Sequence, residues 1–314
     1  MHMGIEKYGW DDTDEDESID KLPEACIVNA LAFATPRDAC RVSTLSSTFK
    51  TAAESDALWE KFLPANYKSM VEESSDPSLM RRCPTKKDLY LQLSDHPLLV
   101  DGGLKSFSLE KDSGKVKYML SAKDLTIVWA DTPSYWTWVH ESQSTFSEVA
   151  ELIAVCWLEI RGKIKTSMLS KYTLYSAFLV FRFTNRSYGF EDCPVEVRLG
   201  IGGSEPSKKW VNLYTDKHRT RRIRLMRRPS FLLRPRRVEY HVPMLPRTKD
   251  SEVETSCCMK DRGDGWLEVE LGDFLNCGGS DTEELEMSLL EVERGSWKGG
   301  LTVLGIEIRP KLIN

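Results

Sequence analysis

The chain has 314 residues, 41% of them hydrophobic and 29% charged, with a formal net charge of −5 at pH 7. That balance is ordinary for a globular protein, and the length allows two domains or one small and one large. No run of about 18 apolar residues argues for a membrane span. The acidic beginning is the opposite of a secretory leader's basic one. Eight cysteines form no Cys-x-x-Cys pair and five histidines are scattered, so no zinc pattern and no cofactor are expected. Reduced, buried thiols in a cytosolic or nuclear protein are the simplest account.

In chain order, residues 1–19 read as a solvated, disordered tail, since residues 11–20 carry seven acids. Residues 20–64 predict a small helical unit. Leu22-Pro23-Glu24 opens a segment whose apolar residues Ala25, Ile27, Val28 and Leu31 recur at mixed three- and four-residue steps. Thr35-Pro36-Arg37-Asp38 is a helix start: a hydroxyl at the cap, proline at the first helical position and a carboxylate three residues after the cap. Ala39, Val42, Leu45, Phe49 and Ala52 then form one amphipathic stripe. Ser55-Asp56 starts a last turn with Leu58, Trp59 and Phe62. A unit of about 40 residues sits near the lower limit for a self-sufficient core. Leu22, Pro23, Ile27 and Leu31 are therefore expected to be exposed and to need a partner surface. The landmarks Leu22-Pro23-Glu24, Pro36-Arg37-Asp38, Val42–Phe49 and Leu58-Trp59 resemble an F-box, the motif that docks substrate receptors onto the Skp adaptor of cullin–RING ubiquitin ligases. The resemblance implies Skp contact through Leu22, Pro23, Glu24, Ile27, Leu31, Pro36 and Val42.

Residues 65–100 read as a linker holding one short helix near Lys86–Leu93. Beyond residue 101 the texture changes. Phe107–Leu109, the turn Asp112-Ser113-Gly114 and Val116–Leu120 predict strand, turn and strand. Runs rich in β-branched and aromatic residues follow at 125–129, 155–160, 174–184, 195–201, 209–214, 266–271, 285–292 and 301–308. Few helices separate them, so residues 101–314 predict an antiparallel sandwich. The fold class is thus α plus all-β.

Blocks within roughly 105–310 resemble the phloem protein 2 domain shared with the Nictaba-like plant lectins. They include Leu125–Trp129, Pro133–Trp138, Val149–Leu152, Val155–Ile164, Tyr175–Phe181, Asp264–Glu268, Ser296–Leu301 and Gly305–Pro310. An F-box ahead of such a domain is the architecture of the phloem-protein-2-like F-box proteins. It implies a plant source, a jelly-roll-like sandwich and a role as a non-catalytic receptor that joins Skp, and through it cullin, to a client for ubiquitination. It also implies contact of Trp129, Trp136, Glu284 and Glu291 with N-acetylglucosamine-containing glycans. An indole buries the C–H face of a sugar while a carboxylate accepts its hydroxyls. Of the other tryptophans, Trp157, Trp266 and Trp297 are expected in the core. The insertion Gln143-Ser144-Thr145-Phe146 departs from the lectin pattern, next to the first aromatic block.

Residues 217–237 carry ten Lys and Arg and no acid. They read as a solvated loop or edge strand, with acidic-partner contact, phosphate contact or nuclear targeting as alternatives. No base-stacking platform interleaves the run, so nucleic acid is not the expected ligand. No nucleophile elbow, phosphate loop or His-Glu-x-x-His motif points to catalysis. A free-standing cytosolic or nuclear lectin is the competing reading.

Overall fold

The structure, a computed structural model, describes residues 22–191, 193–202, 204–213, 259–280 and 282–311. The acidic head and the basic run at 217–237 lie outside the described residues.

Four helices build the N-terminal unit: α1 (Glu24–Leu31), α2 (Pro36–Val42), α3 (Ser47–Glu54) and α4 (Asp56–Phe62). The start at Thr35 forms as expected, its hydroxyl oxygen accepting from the Asp38 N–H at 3.1 Å. The stripe from Ala39 to Ala52, however, is not one helix. Ser43 and Thr44 turn their hydroxyls back onto the carbonyls of Cys40 (2.6 Å) and Arg41 (2.8 Å). The Ser46 hydroxyl then caps α3 at the Phe49 N–H, 3.4 Å away. These short polar side chains compete with the backbone ladder and restart it on a new axis.

The region expected as a polar linker holds α5 (Tyr67–Glu72) and α6 (Leu79–Arg82), with Tyr67, Val71 and Leu79 buried. Helix α7 (Lys86–Asp95) follows, fixed by a reciprocal capping box between Thr85 and Asp88.

The strands are β1 (Leu98–Val100), β2 (Lys105–Leu109), β3 (Val116–Ser121), β4 (Thr126–Ile127), β5 (Trp136–His140), β6 (Glu148–Leu152) and β7 (Leu158–Lys165). After them come β8 (Thr173–Tyr188), β9 (Val195–Ile201), β10 (Ser207–Val211), β11 (Met259–Asp261), β12 (Leu267–Asn276), β13 (Glu284–Glu291) and β14 (Gly299–Pro310). All pair antiparallel. The larger sheet runs β1-β2-β3-β14-β8-β12-β11, with β6 also paired to β14 and β5 to β6. The smaller sheet runs β10-β9-β13-β7-β4. Alternation decides which side faces in: Leu158, Ile160 and Ile164 of β7 enter the core while Glu159, Arg161, Lys163 and Lys165 point out.

Helices and sheets share one hydrophobic core that runs from Ile27 to Ile308. The join is the β2–β3 turn. Arg37 donates its N–H to the Asp112 carbonyl (3.3 Å) and its guanidinium to the Asp112 carboxylate (2.9 Å). Tyr90 Oη lies 3.1 and 3.0 Å from the carbonyl oxygens of Glu110 and Lys111. Gly114 (φ +72°) closes that turn against Pro36, whose Cγ would stand 3.3 Å from an added Cβ. The small helical unit is therefore completed by its own body.

The insertion at 143–146 works as a strap. Phe146 is buried in a second cluster with Met119, Val149, Val180, Trp266 and Leu304, on the outer side of the larger sheet. Of the thiols expected to be buried, Cys26, Cys40 and Cys277 are exposed.

Candidate functional site

Two surfaces carry the residues singled out in the sequence. The first is the helical unit. Helix α1 packs on α3 and α4, and that contact buries Ile27 and Leu31. The expectation that these two are exposed is corrected: apolar side chains one turn apart on an eight-residue helix face the neighbours that complete a shared core. Pro36 is buried toward the β2–β3 turn, and Val42 is half-buried against the core. Leu22, Pro23 and Glu24 stay on the surface.

Two residues not picked out as surface groups join them. Phe33 is 94% exposed and Leu45 70% exposed, in the turns that leave α1 and α2. A signal was available. Phe33 stands between the end of α1 and the cap at Thr35, outside any stripe; Leu45, expected on the amphipathic stripe, falls instead in the turn before the Ser46 cap, where the break between α2 and α3 leaves it in water. A contiguous exposed apolar patch, rather than a single exposed apolar residue, is what marks a surface that meets something else.

The second surface is the β body. Trp129 sits in the connection after β4 at a positive φ of 62°. Its ring is 39% exposed and tilted 38° to Tyr135 at 5.2 Å between centroids. A bulky residue at positive φ is strained and persists only where its surroundings hold it. Trp136, opening β5, is 2% exposed, and its buried indole N–H has no partner. It offers no face to a ligand in this conformation.

The two glutamates stand at opposite ends of β13, opposite Lys165 and Leu158 of β7 respectively. Seven residue steps at about 3.3 Å separate them by roughly 23 Å. Glu284 lines a cleft of about 460 Å³ between α5 and the body, with Lys163 and Tyr118. The Lys163 ammonium lies 3.9 Å from Glu284 and 2.6 Å from Glu286, and the hydrogen bond to Glu286 raises its pKa. Glu291 is buried, ion-paired to the fully buried Lys298. Its other oxygen accepts the Arg294 N–H at 3.2 Å. Glu284, Glu291, Trp129 and Trp136 thus do not converge on one ligand.

Two tryptophans expected in the core are instead exposed: Trp157 and Trp297. Trp157 precedes β7 in phase with Glu159 and Arg161 and donates its indole N–H to Glu159 Oε2 at 2.9 Å. Trp297 precedes the bulge at Gly299–Leu301, where the alternation is broken. Trp266 is buried as expected, with the Arg182 guanidinium 4.7 Å from its ring centre.

Residues 115–310 match the family model described as phloem protein 2. Over nearly the whole chain the sequence is similar to curated Arabidopsis thaliana proteins. "F-box protein PP2-B1" is 42% identical, the match covering 94% of this chain and 90% of that protein. "F-box protein PP2-B10" is 40% identical over 95% of this chain and 96% of its own length. "Putative F-box protein PP2-B12" is 42% identical over 92% and 97%. A helical unit continuous with a two-sheet body, a domain match over most of that body and full-length relatives of one architecture agree: this chain belongs to the phloem-protein-2-like F-box proteins.

Proposed function

We propose that this protein is a non-catalytic substrate receptor of a Skp–cullin–F-box ubiquitin ligase, acting in the cytosol or nucleus. The helical unit docks the Skp-type adaptor, and the β body, read as a jelly-roll-like lectin sandwich, holds the client. The observation that carries the reading is Phe33, 94% exposed on a unit whose own core is already complete. Leu45, Leu22 and Pro23 are further exposed apolar residues of the same unit. The names of the relatives, F-box proteins of this family, support it.

The chemistry is proximity. A receptor raises the effective concentration of client at the conjugating enzyme and needs no reactive group of its own. Proximity works best when the two surfaces keep a fixed relation. The Arg37–Asp112 contact, the Tyr90 hydroxyl and the shared core supply that rigidity.

The test is co-purification of Skp-type adaptor with wild type, Leu22→Ala/Pro23→Ala and Phe33→Asp/Leu45→Asp. Burying a Phe or Leu contributes about 1.5–3 kcal/mol each. The Phe33/Leu45 pair is expected to lose at least a hundredfold in affinity at an unchanged melting temperature. No co-purification of adaptor with wild type sinks the adaptor reading, and equal binding by all three proteins removes Leu22, Pro23, Phe33 and Leu45 as its docking residues.

The exposed Trp129 ring on Tyr135 favours a second reading, a free-standing lectin for N-acetylglucosamine-containing glycans. No adaptor binding together with glycan capture that Trp129→Ala abolishes would select it.

A further inference from the structure

Four tyrosines are buried among the described residues. Three of them use their hydroxyls inside the protein. Tyr67 donates to Glu60 at 2.9 Å, and Tyr90 meets the two carbonyls of the β2–β3 turn. Tyr175 Oη donates to the Val116 carbonyl at 3.0 Å and accepts the Ser170 N–H at 2.9 Å. Tyr118 of β3 is the exception. It is 4% exposed, and its hydroxyl has no hydrogen-bond partner among the described residues.

A polar group withdrawn from water without a partner costs free energy, so what it faces is informative. The Tyr118 ring is held against Phe107 of β2, with centroids 5.5 Å apart. Unlike the orphaned Trp136 N–H, which is sealed, the phenol oxygen keeps accessible surface, and it opens on the cleft of about 460 Å³ where α5 meets both sheets. Burial pushes the phenol's pKa up, so the group stays protonated and can donate.

The rest of the cleft floor is apolar. Met70 of α5, Val100 of β1, Ile164 of β7 and Met168 in the turn after β7 line it, and all four are buried or half-buried. Two thioethers beside a phenol ring suit an aromatic guest, because sulfur packs well at ring edges and methionine adapts its shape. The volume and the ratio of one polar group to several apolar ones are those of small-molecule sites.

The charged lining groups cancel: Lys105, Lys163 and Lys165 stand against Glu73, Asp101 and Glu284. Lys105 is held by Asp101 and, at 3.2 Å, by Asp124; Lys163 is held by Glu286 at 2.6 Å. Glu284 enters only as one of these counter-charges. An ionic guest would compete with the pairs and gain little net Coulomb energy from a balanced rim. A polyhydroxylated guest would bring many hydroxyls to one buried partner and leave the others unmet.

We propose that this cleft binds a neutral aromatic molecule with one carbonyl oxygen, which accepts from the Tyr118 hydroxyl while Met70, Val100, Ile164 and Met168 enclose the ring. Neither adaptor docking nor glycan capture is needed for it.

The test uses the full chain carrying methyl-labelled methionine. The Met70 and Met168 signals are followed by NMR during titration with acetylnaphthalene, ethylnaphthalene and naphthoate. The ketone is expected to shift both signals saturably and to bind more tightly than the hydrocarbon or the anion. One hydrogen bond is worth about threefold to tenfold in affinity. Tyr118→Phe should therefore weaken the ketone by that factor and leave the hydrocarbon unchanged. Because the hydroxyl has no internal partner, Tyr118→Phe should melt no lower than wild type, which separates a lost contact from a lost fold. Met70→Trp fills the cleft from α5 and should block ketone and hydrocarbon alike. No saturable shift with the ketone, or shifts confined to other methionines, overturns the site. Equal ketone affinity of wild type and Tyr118→Phe overturns the carbonyl contact. Tighter binding of naphthoate than of the ketone overturns the neutral ligand in favour of an anion.

Discussion

Lys298→Met tests whether Glu291 is a ligand-binding group or a structural one. In the native fold the Lys298 side chain is 0% exposed and that of Glu291 3% exposed. The lysine's place is set by its backbone, which exchanges hydrogen bonds with Val155 at 2.9 and 2.8 Å, and its ammonium also donates to the Ser296 carbonyl at 2.7 Å. Methionine keeps most of the volume and removes the charge, leaving a carboxylate out of water without its counter-charge, its remaining partners being the Arg294 N–H and the Cys193 thiol. Breaking one side of a buried pair costs about 3–5 kcal/mol. At about 2–4 °C per kcal/mol for a body of this size, the melting temperature should fall by roughly 6–20 °C. The double change Glu291→Leu/Lys298→Met removes both charges, and a buried pair replaced by well-packed apolar groups is often neutral. The double variant should therefore melt above Lys298→Met. Urea unfolding followed by tryptophan fluorescence measures all three. A cost under about 1 kcal/mol for Lys298→Met, or a double variant no better than the single, would refute the buried-pair reasoning and return Glu291 to the pool of free acceptors.

Further outcomes follow from other contacts. Gly305 lies in β14 between β3 and β8, and an added Cβ would stand 1.9 Å from the Leu120 carbonyl oxygen. Gly305→Ala should cost at least about 4 kcal/mol and show as lost soluble yield; a melting temperature within about 3 °C of wild type would contradict it. Trp59 donates its indole N–H to the Ala53 carbonyl at 2.7 Å and packs 5.0 Å from Tyr90. Trp59→Phe should lose about 1–3 kcal/mol, read by chemical denaturation. Glu268 joins Arg262 and Arg309 on the larger sheet. Burial would raise its carboxyl, but the Arg309 and Arg262 contacts outweigh that and hold it below its ordinary value. Because the folded pKa is depressed, its stabilisation is present above the unfolded value near 4.3 and is lost as pH falls through the folded one. Wild type should lose more melting temperature between about pH 5 and pH 3 than Glu268→Gln does, and equal slopes would reject the assignment.

Local signals were legible without the fold. Thr35 announces its helix because a cap's chemistry lies within four residues of chain. The alternation of Leu267, Val269 and Leu271 with Glu268 and Glu270 announces a strand for the same reason. Even Trp157 was readable, since it shares the parity of Glu159 and Arg161, although the strand begins at Leu158 rather than Val155. Residues 65–86 were not. Tyr67, Val71 and Leu79 are too sparse among polar neighbours to show a period, yet the body gives each a place in its core.

By itself, the order of amino acids determined the sequence blocks of the family, the helical unit ahead of two antiparallel sheets, and the caps and turns that punctuate them. These depend on neighbours a few residues apart. Tertiary structure alone decided which aromatic groups meet water: Trp136 is sealed, Trp129 is open, and Phe33 stands free. It also set Glu284 and Glu291 at opposite ends of one strand and gathered Val100, Tyr118 and Ile164, drawn from three strands, around one cleft. Burial and convergence are properties of what packs on top of a segment, and that covering surface comes from parts of the chain far removed in order.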